Sequence, residues 1–165
     1  MFKNLFGKKP ASKTITVYSP ANGVPVGLEE VPDPVFSEKM MGDGLAVKPS
    51  DGIIVAPVDG EVIQVFPTKH AIGLKAENGA EILIHIGLET VALQGEGFEA
   101  HVQQGDKVKR GDRLVTFDVA LVSERAKSTI TPMIITNPDD MESQNALHAE
   151  SAVAGETPVM DITAK

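Results

Sequence analysis

The sequence predicts an all-β fold, an antiparallel β-sandwich or barrel-like sandwich with only short helical turns. Three observations predict it. The 15 glycines and 11 prolines are spread along the chain as turn signals, among them SPANG, VPDP, GDG, KPSDG, APVDG, ENG, QGEG and GETP. Between them lie short runs rich in Val, Ile, Leu and Thr. No amphipathic helix long enough to cover a parallel sheet separates these runs.

In chain order, residues 1–12 are expected to be a flexible leader, and residues 13–165 a single β-sandwich domain. KTITVYS (13–19) reads as the first strand, and DPVFSEKM (33–40) as a short helical stretch. GIIVA (52–56), EVIQVF (61–66), AIGLKA (71–76), EILIHIG (81–87) and DRLVTFD (112–118) follow as strands. ALVSERAKS (120–128) is a second candidate helix, MIIT (133–136) a strand, DDMESQNALHA (139–149) a third candidate helix, and VMDIT (159–163) the last strand.

Composition removes several classes of function. The formal charge of −8 argues against a nucleic-acid binder, which needs a basic surface. A basic protein partner fits that charge, and so does simple solubility. The chain has no cysteine, so disulfides, thiolate nucleophiles and Cys-ligated metals are excluded together. No apolar run approaches the roughly 20 residues of a membrane span. The N-terminal MFKNLFGKKPASKT lacks the apolar core of a secretory signal, which places the protein in the cytoplasm.

Two of the four histidines, His70 and His85, lie in TKHAIGLKAENGAEILIHIGLETVAL. A two-residue turn at Asn78-Gly79 would set Glu77 opposite Ala80, His85 opposite Ile72 and His70 opposite Gly87. Both imidazoles would then be diagonal neighbours on one face, with Gly87 leaving room beside them and Ile82, Ile84 and Ile86 turned to the core. Two chemistries suit such a pair. One imidazole can attack a phosphoryl group while the other donates to its oxygens. Alternatively, both bind zinc with a third ligand and a water, as in a zinc-dependent hydrolase, although His101 and His148 are too remote in sequence to be assigned. A biotinyl- or lipoyl-type carrier, suggested by QQGDKVKRGDRLVTF, lacks the exposed lysine at a hairpin tip.

The blocks VPDPVFSEKMMGDGLAVKPSDGIIVAPVDGEV, TKHAIGLKAENGAEILIHIGLETVALQGEGF, AKSTITPMIITN and GETPV resemble the glucose-type enzyme IIA of the bacterial phosphoenolpyruvate-dependent sugar phosphotransferase system. The likeness covers nearly the whole chain after the leader. It implies a phosphocarrier, a phosphotransferase component that takes a phosphoryl group from phospho-HPr and passes it to the cysteine of an enzyme IIB domain during sugar uptake. By this resemblance His85 accepts the phosphoryl group, His70 stabilises it, Thr68 orients His70, and the Gly87 backbone carbonyl fixes the His85 tautomer.

The same resemblance implies a shallow apolar docking depression at Val35, Phe36, Met40, Met41, Phe66 and Val91. Asp33 and Glu89 would meet arginines of the donor, with Glu89 standing where relatives often carry the shorter aspartate. Methionines suit a patch that serves two partners, and a dry rim protects a phosphohistidine from hydrolysis. No cofactor is required on this reading, and a monomer suffices. The FKNLFGKK segment within residues 1–9 would give at most a weak peripheral membrane contact.

Overall fold

The computed structural model describes residues 13–165. The expected leader, and with it the expected membrane contact, therefore lies outside the described residues. The described chain is built almost wholly from antiparallel strands. β1 (Thr14–Tyr18), β2 (Gly23–Gly27), β3 (Asp43–Pro49), β4 (Ile53–Val55), β5 (Gly60–Val65), β6 (Ala71–Ala76) and β7 (Glu81–His85) precede β8 (Phe98–Ala100), β9 (Lys107–Val108) and β10 (Arg113–Phe117). β11 (Thr131–Ile135), β12 (Met141–Ala146) and β13 (Pro158–Ala164) complete the set. Helix is confined to α1 (Pro34–Ser37), α2 (Val119–Arg125) and three single 3-10 turns among the described residues.

The strands form one seven-stranded sheet, ordered β2-β3-β11-β7-β6-β5-β9, and two three-stranded sheets, β1-β13-β12 and β4-β10-β8. Strict alternation divides the large sheet into two faces. Leu45 and Val47 of β3, Ile72 and Leu74 of β6, Ile82 and Ile84 of β7, and Met133 and Ile135 of β11 join the main core. That core also holds Ile162 and Met160 of β13 and Leu114 and Val115 of β10, so it sits where the three sheets meet. Ala46, Ala71, Leu83 and Ile134, each one step out of phase with those residues, face the other way. They form a smaller cluster covered by Leu28, Val31 and Phe36. β7 and β11 are thus buried on both faces, which is why ILI and MII read as continuous apolar runs.

Pro25 is tolerated because β2 is an edge strand, where one side of the ladder needs no donor. α1 begins where Asp33 Oδ1 accepts from Val35 N at 3.0 Å and Pro34 presets the first helical turn. α2 begins in the same manner, Asp118 Oδ1 accepting from Leu121 N at 3.0 Å.

The structure corrects the third candidate helix. Residues 138–140 make a 3-10 turn, and the chain then enters β12, which pairs with β13 from Met141↔Ala164 to Ala146↔Met160. Its helical propensity was the weaker influence, since the strand borders a sheet whose core face buries Met141. The β6–β7 register also differs from expectation. Ala71 pairs with His85, Ile72 with Ile84 and Lys75 with Glu81. Ala76 N donates to Ala80 O at 2.9 Å, which leaves Glu77, Asn78 and Gly79 as a three-residue loop with Gly79 at φ 92. Asn78 serves the loop and its surroundings together: its Oδ1 accepts from Ala80 N at 3.1 Å, and its Nδ2 donates at 2.9 Å to the carbonyl of Lys13, just before β1.

Because core and surface apolar side chains differ so sharply in burial, substitution should separate them. Ile84→Ala, at a side chain with no exposure, is expected to lower unfolding free energy by about 2–5 kcal/mol in urea denaturation. Met40→Ala, at a side chain 69% exposed, is expected to change it by no more than about 0.5 kcal/mol.

Candidate functional site

His85 is the last residue of β7, on the same face as Leu83 and therefore on the side of the smaller cluster. His70 lies one residue before β6. Strand alternation with the observed register would not bring these rings together, because His70 lies across from Ile86, whose N–H donates to the His70 carbonyl at 2.7 Å. The loop geometry does so. Lys69, just before His70, adopts a left-handed backbone at φ 60, so the chain is not in strand conformation as it enters β6. The two imidazole centroids end 5.0 Å apart with the rings nearly perpendicular.

Each ring has its δ1 nitrogen occupied. His85 Nδ1 lies 2.8 Å from the Gly87 carbonyl oxygen, which can only accept, so Nδ1 carries the proton. His70 Nδ1 is hydrogen-bonded to the Thr68 hydroxyl two residues earlier. Among the described residues neither Nε2 has a hydrogen-bond partner, and these nitrogens remain for chemistry. The Phe36 ring packs against His85 with centroids 5.0 Å apart, and the Phe66 ring meets His70 edge-on at 5.6 Å.

Burial explains the electrostatics. His70 is only 6% exposed, and desolvation, reinforced by repulsion from His85, lowers its pKa to about 4. Desolvation also holds the half-buried His85 below the ordinary imidazole value, against the opposing pull of the Gly87 carbonyl and the Asp33 carboxylate. Both rings are neutral at neutral pH, and Asp33 lies close enough for its charge to be felt at His85.

The other expected residues take distinct places. Phe36 is buried and forms part of the floor, Phe66 is partly buried, and Val35, Met40, Met41 and Val91 are exposed apolar side chains. Asp33 has a second task as the cap of α1. Glu89 is exposed, with a left-handed backbone at φ 60 at the start of a 3-10 turn spanning Thr90–Leu93.

Gly87 requires a correction. A side chain there would not crowd His70: a Cβ would lie 2.6 Å from Thr90 Cγ2 and 2.8 Å from the Ser128 carbonyl oxygen. Its φ of +74 and that close packing are what call for glycine. Thr90, which sequence reasoning passed over, is fully buried and its hydroxyl donates to Ile86 O at 2.6 Å. A hydroxyl in LETVAL carries no distinguishing signal, since an exposed threonine would be written identically.

The zinc reading lacks its third ligand. Among the described residues no group of three or more His, Cys, Asp or Glu side chains is arranged to hold a metal ion. His101 is instead hydrogen-bonded to Thr116 Oγ1 at 2.9 Å.

Residues 15–141 match the family model described as phosphoenolpyruvate-dependent sugar phosphotransferase system, EIIA 1. A protein of Bacillus cereus described as PTS system glucose-specific EIIA component is 55% identical over 165 residues, covering 100% of both chains. Proteins with the same description from Staphylococcus epidermidis and Halalkalibacterium halodurans are 52% identical, with 99% of each chain covered, and 54% identical, with 98% of each covered. The solved structure of glucose permease IIA from Mycoplasma capricolum superposes with a TM-score of 0.80 at 38% identity, over 96% of this chain and 99% of that one. The chain belongs to the EIIA 1 family of the phosphoenolpyruvate-dependent sugar phosphotransferase system and is a phosphocarrier component of it.

Proposed function

We propose that His85 accepts the phosphoryl group on Nε2 from phospho-HPr and delivers it to the cysteine of an enzyme IIB domain. One observation carries this reading: Nδ1 of His85 is committed to the Gly87 carbonyl at 2.8 Å while its ring stands 5.0 Å from His70. A neutral imidazole with its proton held on Nδ1 presents the Nε2 lone pair to phosphorus. As the new N–P bond forms, the donor's N–P bond breaks. The ring gains positive character, which the Gly87 carbonyl dipole and the Asp33 charge stabilise. In the second step the cysteine thiolate attacks phosphorus and the same N–P bond breaks, returning the lone pair to Nε2.

His70 has the complementary role. With its low pKa it is neutral, and if the Thr68 hydroxyl donates to Nδ1, the ring proton sits on Nε2 and can be given to the phosphoryl oxygens. Phe36 and Phe66 exclude water beside the two rings, and Val35, Met40, Met41 and Val91 offer an apolar landing surface to successive partners. Asp33 and Glu89 supply negative charge for an arginine-bearing donor. The residues present require no cofactor for these steps. The relatives' glucose-specific description supports a glucose pathway. We further infer a carrier that works in the cytoplasm as a monomer, since one exposed face can serve successive partners. No described helix is long and apolar enough to cross a membrane.

Intact mass after incubation with phosphoenolpyruvate, enzyme I and HPr tests the assignment. The wild type is expected to gain one acid-labile phosphoryl group of about 80 Da on the imidazole nucleophile. His85→Ala should gain none, and a labile phosphate on that variant would overturn the acceptor. His70→Ala should still accept phosphate from HPr while its onward transfer to the IIB cysteine slows; normal onward transfer would remove His70 from the mechanism.

Asp33→Asn keeps a side-chain oxygen for the helix cap and removes the charge. It is expected to slow encounter with HPr by a factor that shrinks as salt rises. A defect insensitive to salt would show that the carboxylate acts locally on the His85 ring and not by steering the donor.

The lowered pKa values also fix a pH dependence. Because both rings bind protons less readily when folded, the unfolded chain holds more protons as pH falls from about 6.5 toward 4. The stability contribution is therefore complete above about 6.5 and is lost progressively on acidification through that window. Ring-proton titration by NMR should place both midpoints below 6.5, with His70 near 4. An ordinary midpoint at His70 would contradict its desolvation.

A further inference from the structure

The His85 proton is fixed by a carbonyl belonging to glycine, the residue with the greatest backbone freedom, so something else must aim that carbonyl. The loop from Ile86 to Thr90 is held in three ways. Ile86 N donates to His70 O at 2.7 Å. Leu88 exchanges backbone bonds with the segment beyond α2, its N–H donating to Ser128 O at 2.9 Å and its carbonyl accepting from Lys127 N at 3.2 Å. The third restraint comes from a side chain, Thr90, whose hydroxyl reaches back to Ile86 O at 2.6 Å. Its methyl also closes on Gly87, where an added Cβ would approach it to 2.6 Å.

We propose that Thr90 is a positioning residue for phosphoryl transfer: its buried hydroxyl holds the Ile86–Gly87 peptide so that the Gly87 carbonyl stays on His85 Nδ1 and the Nε2 lone pair stays turned outward. The Ile86 carbonyl and the Gly87 nitrogen lie in one rigid peptide plane. Pinning that plane leaves only the two Gly87 torsions between the hydroxyl and the carbonyl that holds the proton. The inference rests on His85 as the acceptor. Thr90 itself touches neither imidazole nor phosphate in this scheme.

Thr90→Ser and Thr90→Ala both lose the methyl and differ only in the hydroxyl, so their comparison isolates it. Ring-nitrogen shifts of His85 in 15N-histidine-labelled, unphosphorylated protein at pH 7.5 report the tautomer, and a quench-flow assay with phospho-HPr reports the rate. The serine variant is expected to keep the Nδ1–H pattern of the wild type. The alanine variant should show averaged shifts and phosphorylate about fivefold more slowly, the worth of one net hydrogen bond. Should the alanine variant fail to fold, Thr90→Val removes the hydroxyl while filling the space and is read in the same way. An unaltered Nδ1–H pattern without the hydroxyl, or equal shifts in the serine and alanine variants, would overturn the proposal. Failure of the acceptor assignment would appear separately, as labile phosphate on His85→Ala.

Discussion

The site depends on one hydrogen bond, from His85 Nδ1 to the carbonyl two residues further along the chain. An imidazole in water exchanges its proton between two nitrogens, and only one of them can point toward a partner protein. A carbonyl cannot donate, so placing one at 2.8 Å decides which nitrogen keeps its lone pair. To deliver that carbonyl the chain must leave strand geometry immediately after β7. Gly87 at φ +74, the buried Thr90 and the bridge from Leu88 to Ser128 are parts of that exit. The doubly buried strands β7 and β11 behind it provide a support from which so short a turn can be aimed.

The second constraint is that His85, the ring that gains positive character on the proposed mechanism, is placed where charge is unfavourable. Desolvation lowers the pKa of both histidines, which keeps the imidazoles neutral at neutral pH and, on the proposed mechanism, works against the phosphorylated state. The Gly87 carbonyl and Asp33 oppose desolvation at His85, whereas nothing comparable opposes it at His70, whose neighbour His85 adds repulsion. Two identical side chains 5.0 Å apart are thereby made different, one suited to covalent attack and the other to hydrogen bonding.

The strands of the core were legible in the sequence because β7 and β11 must be apolar on both faces, and the histidines stood out against such runs. The turn between them was misread for an identifiable reason. Asn-Gly favours a two-residue turn in isolation, but Asn78 is bound to the Lys13 carbonyl in the folded chain and Gly79 serves a three-residue loop. The one-residue difference moves His70 across from Ile86 instead of Gly87, so the pairing of the rings was right for the wrong geometric reason. The left-handed Lys69, which restores the encounter, had no sequence signal, since lysine is not a residue that announces such a backbone. Residues 139–149 failed similarly: MESQNA has no helix-breaking residue, and only its pairing with β13 makes it a strand. Thr90 was invisible because its importance lies in a contact and not in its chemistry.

The division of the large sheet into two faces also explains how an exposed apolar surface coexists with a stable fold. The main core lies on one face and takes its residues from all three sheets, while the site belongs to the smaller cluster on the other. Phe36 belongs to both worlds, buried at 3% exposure yet in ring contact with His85. Beyond it, Val35, Met40 and Met41, on α1 and just after it, are exposed and belong to neither cluster. A surface outside the folding core can be shaped by what docks on it, because exchanging its side chains removes little apolar area that folding had buried. On the proposed assignment, the nucleophile is therefore anchored at the end of a strand buried on both faces, and the docking surface is placed where the fold is least affected by change.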